Sequence, residues 1–207
     1  MKLALPPELP TSRLLLRSWR KSDAPELKVA LDGNLEHLQA WLPWAMSEPS
    51  PIAVLEDRLE LFARQFHAGE QWLFAIWSRS RDALLGGAGL HPRIGEDGLE
   101  MGYWLQAAAT GQGFMTEAAD ALTRLALQQP GIERVQIRCD PANVASASVP
   151  KRLGYRHLRT IPNATIKPSG APRDSMAGSQ RRVDCSIRCG VHHRSLLHRD
   201  RCSLLCV

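Results

Sequence analysis

The stretch LEMGYWLQAAATGQGFMTEAADALTRLAL, from Leu99 to Leu127, has the pattern of a strand, a glycine turn and a helix. Its first part, around Tyr103 and Trp104, is rich in apolar and aromatic residues, as is usual for a buried strand. Small residues and two glycines follow. From Met115 onward, apolar residues recur at spacings of three and four, and this periodicity predicts an amphipathic helix.

The turn between this strand and helix has the composition of a phosphate-binding site. The N–H groups in the first turn of a helix have no partner within the helix, and the helix dipole adds partial positive charge there. Glycines let a phosphate approach those N–H groups because they carry no Cβ. We therefore predict that Gly111, Gln112 and Gly113 bind a diphosphate. A Gly-x-Gly turn alone is a weak indicator, since many such turns only close a loop.

The rest of the chain supplies further strands and helices. The apolar runs WLFAIW (72–77) and LLGGAGL (84–90) are joined by a polar turn, which predicts a β-hairpin. From Leu99 onward, predicted strands and helices alternate. A hairpin combined with such alternation predicts an α/β fold of the α+β kind, with a mixed central sheet and helices on both faces.

A second motif follows the predicted strand Val135–Cys139. It begins with Asn-Val-Ala-Ser at residues 143–146 and ends with Leu-Gly-Tyr at residues 153–155. Together with Ala-Ala-Thr-Gly-Gln-Gly at residues 108–113, it resembles the paired acetyl-CoA motifs of the GNAT N-acetyltransferase superfamily. The resemblance implies a GNAT fold with splayed central strands, and acetyl-CoA as cosubstrate.

Three further segments resemble the Rim-type branch of that superfamily, which acetylates N-terminal amines of ribosomal proteins. They are RLLLRSWRKSDA from Arg13, LPW from Leu42 and EMGYWL from Glu100. The whole resemblance covers residues 13–176. It implies an acyltransferase that moves an acetyl group to a primary amine, on a protein N-terminus or a small molecule, by direct attack on the thioester. The alternative is a non-catalytic acyl-CoA-binding or sensor module of the same fold.

The resemblance also implies which residues bind acetyl-CoA. The diphosphate is expected on the glycine turn and the start of the helix, and the pantetheine arm beside the preceding strand. The implied cofactor-binding residues are Tyr103, Trp104, Leu105, Gly111, Gln112, Gly113, Phe114, Met115, Asn143 and Ser146. Ala108 departs from the family pattern, which often has Arg or Gln there, and this removes one phosphate contact.

Two residues are predicted to be catalytic. Glu100, on the central strand, is the predicted general base; a solvated glutamate at a strand end is the alternative. Pro150 stands where many family members have a tyrosine that protonates the leaving thiolate, and the resemblance to the Rim-type branch implies that Ser146 donates this proton instead. Ser146 could instead be a helix N-cap, and Asn143 could merely close the turn.

The acceptor amine is predicted to lie near three further residues. Trp41 and Trp44 belong to a segment that borders the acceptor groove in this family, although isolated tryptophans often belong to a core. His91, at a strand end, is predicted to bind the substrate and is the second candidate for the base. No metal-binding motif is found in the sequence, so no metal is expected.

Composition limits the remaining function classes. An apolar content of 44% and a charged content of 23% are those of a soluble globular domain, and no run of 18 apolar residues occurs. A cytoplasmic monomer or homodimer that does not bind a membrane is expected. Residues 1–176 carry 20 basic and 19 acidic residues, whereas residues 177–207 carry six and two. Nucleic-acid binding by the domain is therefore not expected.

The same change in composition predicts two segments: a GNAT acetyltransferase domain at 1–176 and an atypical basic, Cys/His-rich tail at 177–207. The tail is expected to be disordered, or the product of an altered reading frame. Within it, Val183, Cys185 and Ile187 alternate with polar residues, which also fits a strand.

Overall fold

The computed structural model describes residues 3–161 and 182–188. Within those residues, eight strands form a single sheet in the order β1-β2-β3-β4-β5-β6-β8-β7. The strands are β1 Glu8–Pro10, β2 Leu14–Ser18, β3 Trp72–Ser78, β4 Leu84–His91, β5 Gly98–Leu105, β6 Arg134–Cys139, β7 Arg156–Ile161 and β8 Arg182–Arg188. Strands β5 and β6 are parallel, and every other neighbouring pair is antiparallel.

Helices cover both faces of this sheet. They are α1 Ala24–Asp32, α2 Leu35–Gln39, α3 Ile52–Ala68, α4 Phe114–Leu127 and α5 Val144–Arg152. One apolar cluster joins the sheet to α4 and α5, and a second joins it to α1, α2 and α3. The predicted mixed sheet with helices on both faces is therefore confirmed.

The central strands separate part-way along their length. Strands β5 and β6 pair from Gly98 with Arg134 to Met101 with Ile137. Beyond Met101, β5 continues against β4 while β6 continues against β8. The predicted splay is thus present, and residues 102–105 of β5 have an edge that β6 does not cover. Backbone N–H and C=O groups on such an edge can bind an extended ligand.

Strand β8 lies beyond the predicted domain boundary at residue 176. It pairs with β6 through Ile187 with Val135, Cys185 with Ile137 and Val183 with Cys139. The alternation at residues 183–187 therefore does form a strand, and the sheet includes it. The division at residue 176 stays a prediction, and residues 189–207 of the tail lie outside the described residues.

Candidate active site

The glycine turn, residues 111–113, leads directly into helix α4. Gly113 is the N-cap of this helix with φ of 80°, and Gly111 has φ of 74°. A side chain would be strained at both values, and a Cβ placed on Gly111 would have no other atom within 4 Å. The turn opens on a cleft of about 490 Å³, which Thr116, Glu117, Asp120, Arg152 and Leu153 also line. This is the open main-chain site that a diphosphate requires.

Arg13 holds the glycine turn from the far end of the chain. Its Nη1 donates to the carbonyl of Gln112 at 3.0 Å, its Nε donates to Glu117 at 2.7 Å, and its guanidinium lies 4.6 Å from the ring centre of Phe114. Partial burial acts to raise the pKa of Glu117, but hydrogen bonds from Thr11 and Arg13 lower it overall. Arg13 is not among the residues predicted for the site, because nothing in local spacing connects it to a turn about a hundred residues away.

Three predicted residues meet at the opening between β5 and α5. The hydroxyl of Tyr103 donates to the carbonyl of Ser146 at 3.1 Å, and the two hydroxyl oxygens are 3.4 Å apart. Asn143 is the N-cap of α5, and its side chain accepts the N–H of Ser146 at 3.0 Å. The alternative role of Ser146 as helix cap is therefore wrong, since Asn143 caps the helix and leaves the Ser146 hydroxyl beside Tyr103.

Side chains of β5 alternate between the two faces of the sheet. Tyr103 and Leu105 pack with the cluster that includes α4, whereas Trp104 packs with the cluster that includes α1 and α3. Trp104 can therefore contribute only its main chain on the side of the glycine turn. Its indole belongs to the opposite face, which we call the acceptor face.

Three glycines, Gly87, Gly89 and Gly102, form a patch on the acceptor face of β4 and β5. A Cβ on Gly87 would lie 2.7 Å from Nε1 of Trp104, and a Cβ on Gly89 would lie 2.4 Å from Cδ2 of Leu73 and 3.0 Å from Nε2 of His91, so side chains cover both of these glycines. Gly102 is paired with Gly89, and a Cβ on it would meet only Nε2 of His91, at 3.9 Å. The space above Gly102 is thus open and lies beside the His91 ring.

The two predicted tryptophans differ in how they relate to this patch. The ring of Trp44 contacts that of Trp104 edge-on, with 6.2 Å between their centres, and Trp44 is 39% exposed. Trp44 thereby extends the aromatic border of the patch. Trp41 lies in the turn after α2 and is 36% exposed, and the structure does not place its ring against Trp104.

Glu100 is buried on the acceptor face, opposite His91 in the β4–β5 register. One carboxylate oxygen is paired with Arg93, and the other lies 2.9 Å from Nη1 of Arg138. It is not the solvated strand-end glutamate of the alternative. Both oxygens of the predicted base are therefore engaged by guanidinium groups. The assignment of Glu100 as the base stays a prediction.

His91 is held neutral in the same region. Burial, reinforced by the charge of Arg93, lowers its pKa to about 4, against an opposing effect of Glu100. Its Nδ1 lies 2.8 Å from Oε1 of Gln71. Gln71, which immediately precedes β3, was not singled out in the sequence, because a lone glutamine carries no motif.

Comparison with known proteins agrees with this geometry. The model of the acetyltransferase (GNAT) domain family matches residues 13–156, which is more than half of the chain. The chain belongs to the GNAT acetyltransferase family. The predicted family is thereby confirmed, and an N-acetyltransferase is the class of enzyme that this GNAT membership indicates.

One curated relative is the probable N-acetyltransferase YjcK of Bacillus subtilis (strain 168). It is 28% identical over 120 residues, which cover 56% of this chain and 65% of YjcK. The match therefore spans somewhat less than two thirds of that GNAT relative.

Solved structures share the fold. RimL, a ribosomal L7/L12 alpha-N-protein acetyltransferase in complex with coenzyme A, superposes with a TM-score of 0.76 at 20% identity, covering 87% of this chain and 97% of RimL. The microcin C7 self-immunity acetyltransferase MccE, in complex with acetyl-CoA and AMP, gives a TM-score of 0.75 at 18% identity, with coverages of 86% and 93%. At these identities the likeness is one of GNAT fold.

Among the helices that the structure describes, none is long and apolar enough to cross a bilayer. In residues 3–161 and 182–188, no group of three or more His, Cys, Asp or Glu side chains is arranged to hold a metal ion.

Proposed function

We propose that this protein is an acetyl-CoA-dependent N-acetyltransferase that acetylates a primary amine. The observation that carries the proposal is the splay after Met101. The splay leaves an open edge of β5 between the two faces of the sheet. The glycine turn and the Tyr103–Ser146 pair lie on one face, and His91, Glu100 and Trp104 lie on the other. A thioester held along β5 would thus be reached by an acceptor from the opposite face.

The residues present fit acetyl-CoA. The bare main chain at Gly111 and Gly113 and the start of α4 would hold the diphosphate, because a Cβ at either glycine would be strained and would narrow the approach. The open edge of β5 at residues 102–105 would hold the pantetheine arm. When bound, acetyl-CoA supplies an activated acetyl group as a thioester. Arg13 keeps the turn in place without occupying it.

On this proposal, Ser146 supplies the proton for the departing thiolate. The Ser146 hydroxyl does not cap α5, and it lies 3.4 Å from the Tyr103 hydroxyl. Ser146 would therefore take the place of the family's tyrosine donor, which is replaced here by Pro150. Glu100 is the base expected from the sequence, but Arg93 and Arg138 hold both of its carboxylate oxygens.

The acceptor is proposed to be either a protein N-terminus or a small-molecule amine. The fold likeness to RimL, a ribosomal L7/L12 alpha-N-protein acetyltransferase, favours the former. Trp44 and Trp104 border the patch where the acceptor would lie, with His91 at its other side. A cytoplasmic location and a monomeric or homodimeric state remain predictions.

The second candidate is a non-catalytic acyl-CoA-binding module. The double ion pair on Glu100 favours it, because Arg93 and Arg138 already hold both oxygens of the carboxylate that is predicted to be the base.

Calorimetry with acetyl-CoA, followed by a thiol-release assay with a panel of amines, separates these candidates. The panel contains free N-terminal peptides beginning with Ser, Ala and Met, and small amines such as spermidine and aminoacyl nucleotide analogues. Binding with thiol release for one amine class establishes the enzyme. Binding of acetyl-CoA without release for any amine supports the sensor, and absence of binding contradicts both.

A further inference from the structure

We propose that His91 accepts the proton of the acceptor amine at Nε2, and that Gln71 is a positioning residue that fixes the ring in the tautomer this requires. The inference deepens the proposed acetyltransferase function and rests on it. It assigns to His91, with Gln71 behind it, the role that the sequence pattern gives to Glu100.

The hydrogen-bond chain behind His91 determines its tautomer. Gln71 Nε2 donates to Gln65 Oε1 at 2.6 Å, so the carbonyl oxygen of the Gln71 amide is the atom that faces His91. In this orientation of the Gln71 amide the carbonyl oxygen accepts, and Nδ1 of His91 at 2.8 Å carries the hydrogen. A neutral imidazole with hydrogen on Nδ1 has its lone pair on Nε2.

That lone pair belongs to the atom nearest the Cβ position of Gly102, at 3.9 Å. Leu73 covers Gly89, where its Cδ2 lies 2.4 Å from the Cβ position. The space over Gly102 is open, and a primary amine can approach Nε2 there. The same point lies beside the stretch of β5 that β6 leaves uncovered.

The charged groups around His91 support a neutral acceptor of protons. Glu100 faces it from β5, Arg93 follows it in the loop, and Arg138 on β6 reaches it through Glu100. Gln71 and Gln65, on the other side, are uncharged. Burial and Arg93 lower the His91 pKa to about 4, so the ring is unprotonated at neutral pH. The oxygens of Glu100 are engaged by its two arginines.

The step balances in atoms and charge. The amine nitrogen forms a bond to the acetyl carbon, and the carbon–sulfur bond breaks. The proton lost by the amine moves to Nε2 of His91 and then to solvent, while the thiolate takes up one proton through the Ser146 hydroxyl. No oxidant, metal or further reactant is needed.

The tautomer is tested without any acceptor, by a long-range ¹H–¹⁵N spectrum of the histidine side chains at pH 7. The expected result is a neutral His91 ring with hydrogen on Nδ1. Gln71→Leu is expected to lose this preference, whereas Gln71→Glu keeps it and raises the His91 pKa. Gln128→Leu, on an exposed glutamine, is the control. A hydrogen on Nε2, or a cationic ring, in the unaltered protein would overturn the assignment.

The proton transfer is tested with the amine found in the thiol-release screen. His91→Gln is expected to lower kcat about 100-fold and to abolish the acid limb of the kcat–pH profile, with acetyl-CoA affinity unchanged. Gln71→Glu should move that limb upward by about a pH unit. The matched control His67→Gln, on an exposed histidine of α3, should leave both unchanged.

The outcomes are distinguishable from failure of the proposed function. If no amine is acetylated, the acetyltransferase proposal fails while the spectra still decide the tautomer. If amines are acetylated and His91→Gln retains the unaltered kcat and profile, the proton-transfer assignment is wrong. Loss of the limb in Glu100→Gln alone, with His91→Gln unaffected, would return the role of base to Glu100.

Discussion

The two sides of β5 are constructed differently. On the cofactor side, the glycine turn offers main-chain groups from consecutive residues, and Asn143 and Ser146 belong to one helix start. On the acceptor face, His91, Trp44 and Glu100 come from separate segments and are side chains throughout. A main-chain site tolerates a departure such as Ala108, because the N–H groups of the turn do not depend on that side chain. A side-chain site changes whenever one contributor changes, so the acceptor face is where members of one fold can diverge.

Acid should destabilise the two sides in different pH ranges. The folded protein holds a proton on His91 less tightly than the unfolded chain, so stability is lost as pH falls from 6.5 towards 4. The shift corresponds to about 3 kcal/mol. The pKa of Glu117 is lowered in the folded protein, so its ionised carboxylate stabilises the fold above pH 4.5, the pKa of the unfolded chain. This stabilisation is lost as the pH falls below that value. Urea unfolding at several pH values measures both effects. His91→Gln should remove the loss of stability between pH 6.5 and 4, and Glu117→Gln should remove the loss below pH 4.5.

Filling the glycine patch should affect the acceptor alone. A side chain at Gly102 meets only His91 among nearby atoms, so Gly102→Leu folds and occupies the space above the patch. We expect kcat/KM for the amine to fall about 100-fold, or about 2.7 kcal/mol, with the Kd of acetyl-CoA unchanged. For Gly102→Ala, which adds a smaller side chain, kcat/KM for the amine should fall less. Equal loss of acetyl-CoA binding would show that the two sides are not separate.

Substitution in the glycine turn should have the converse effect. Gly111 and Gly131 both have positive φ and open space at the Cβ position, but Gly131 follows α4 at its far end. Alanine at either should destabilise the fold by about 1 kcal/mol. Only Gly111→Ala should weaken acetyl-CoA binding, by about tenfold in calorimetry. Similar affinities for the two variants would mean that the turn is not the diphosphate site.

The smallest expected effect concerns the paired hydroxyls. Tyr103→Phe removes the donor to the Ser146 carbonyl but leaves the Ser146 hydroxyl, so kcat should fall only about threefold. For Ser146→Ala, kcat should fall further. The loss of kcat in the double variant should differ from the sum of the two single losses, because the two hydroxyl groups are in contact. Thiol release under saturating acetyl-CoA measures all three. Additive losses would indicate that the hydroxyls act independently.

Prediction from sequence succeeded where the determining residues are close in the chain. The glycine turn before α4 lies within one short motif, and the family pattern implied the splay. It failed at Arg13 and Gln71, whose contacts with Gln112 and His91 connect distant segments. The alternative role of Ser146 as cap failed because two residues near a helix start can both cap it, and only the backbone decides between them.

The sequence by itself determined the family, the mixed sheet and the alternation that forms β8, and it predicted a main-chain phosphate site, since each depends on local spacing and on side-chain periodicity. Tertiary structure alone decided what surrounds the reacting groups. Glu100 receives two guanidinium groups and His91 receives an amide oxygen because β4, β5, β6 and α3 converge there. Protonation depends on neighbours in space, and spacing along the chain does not specify them.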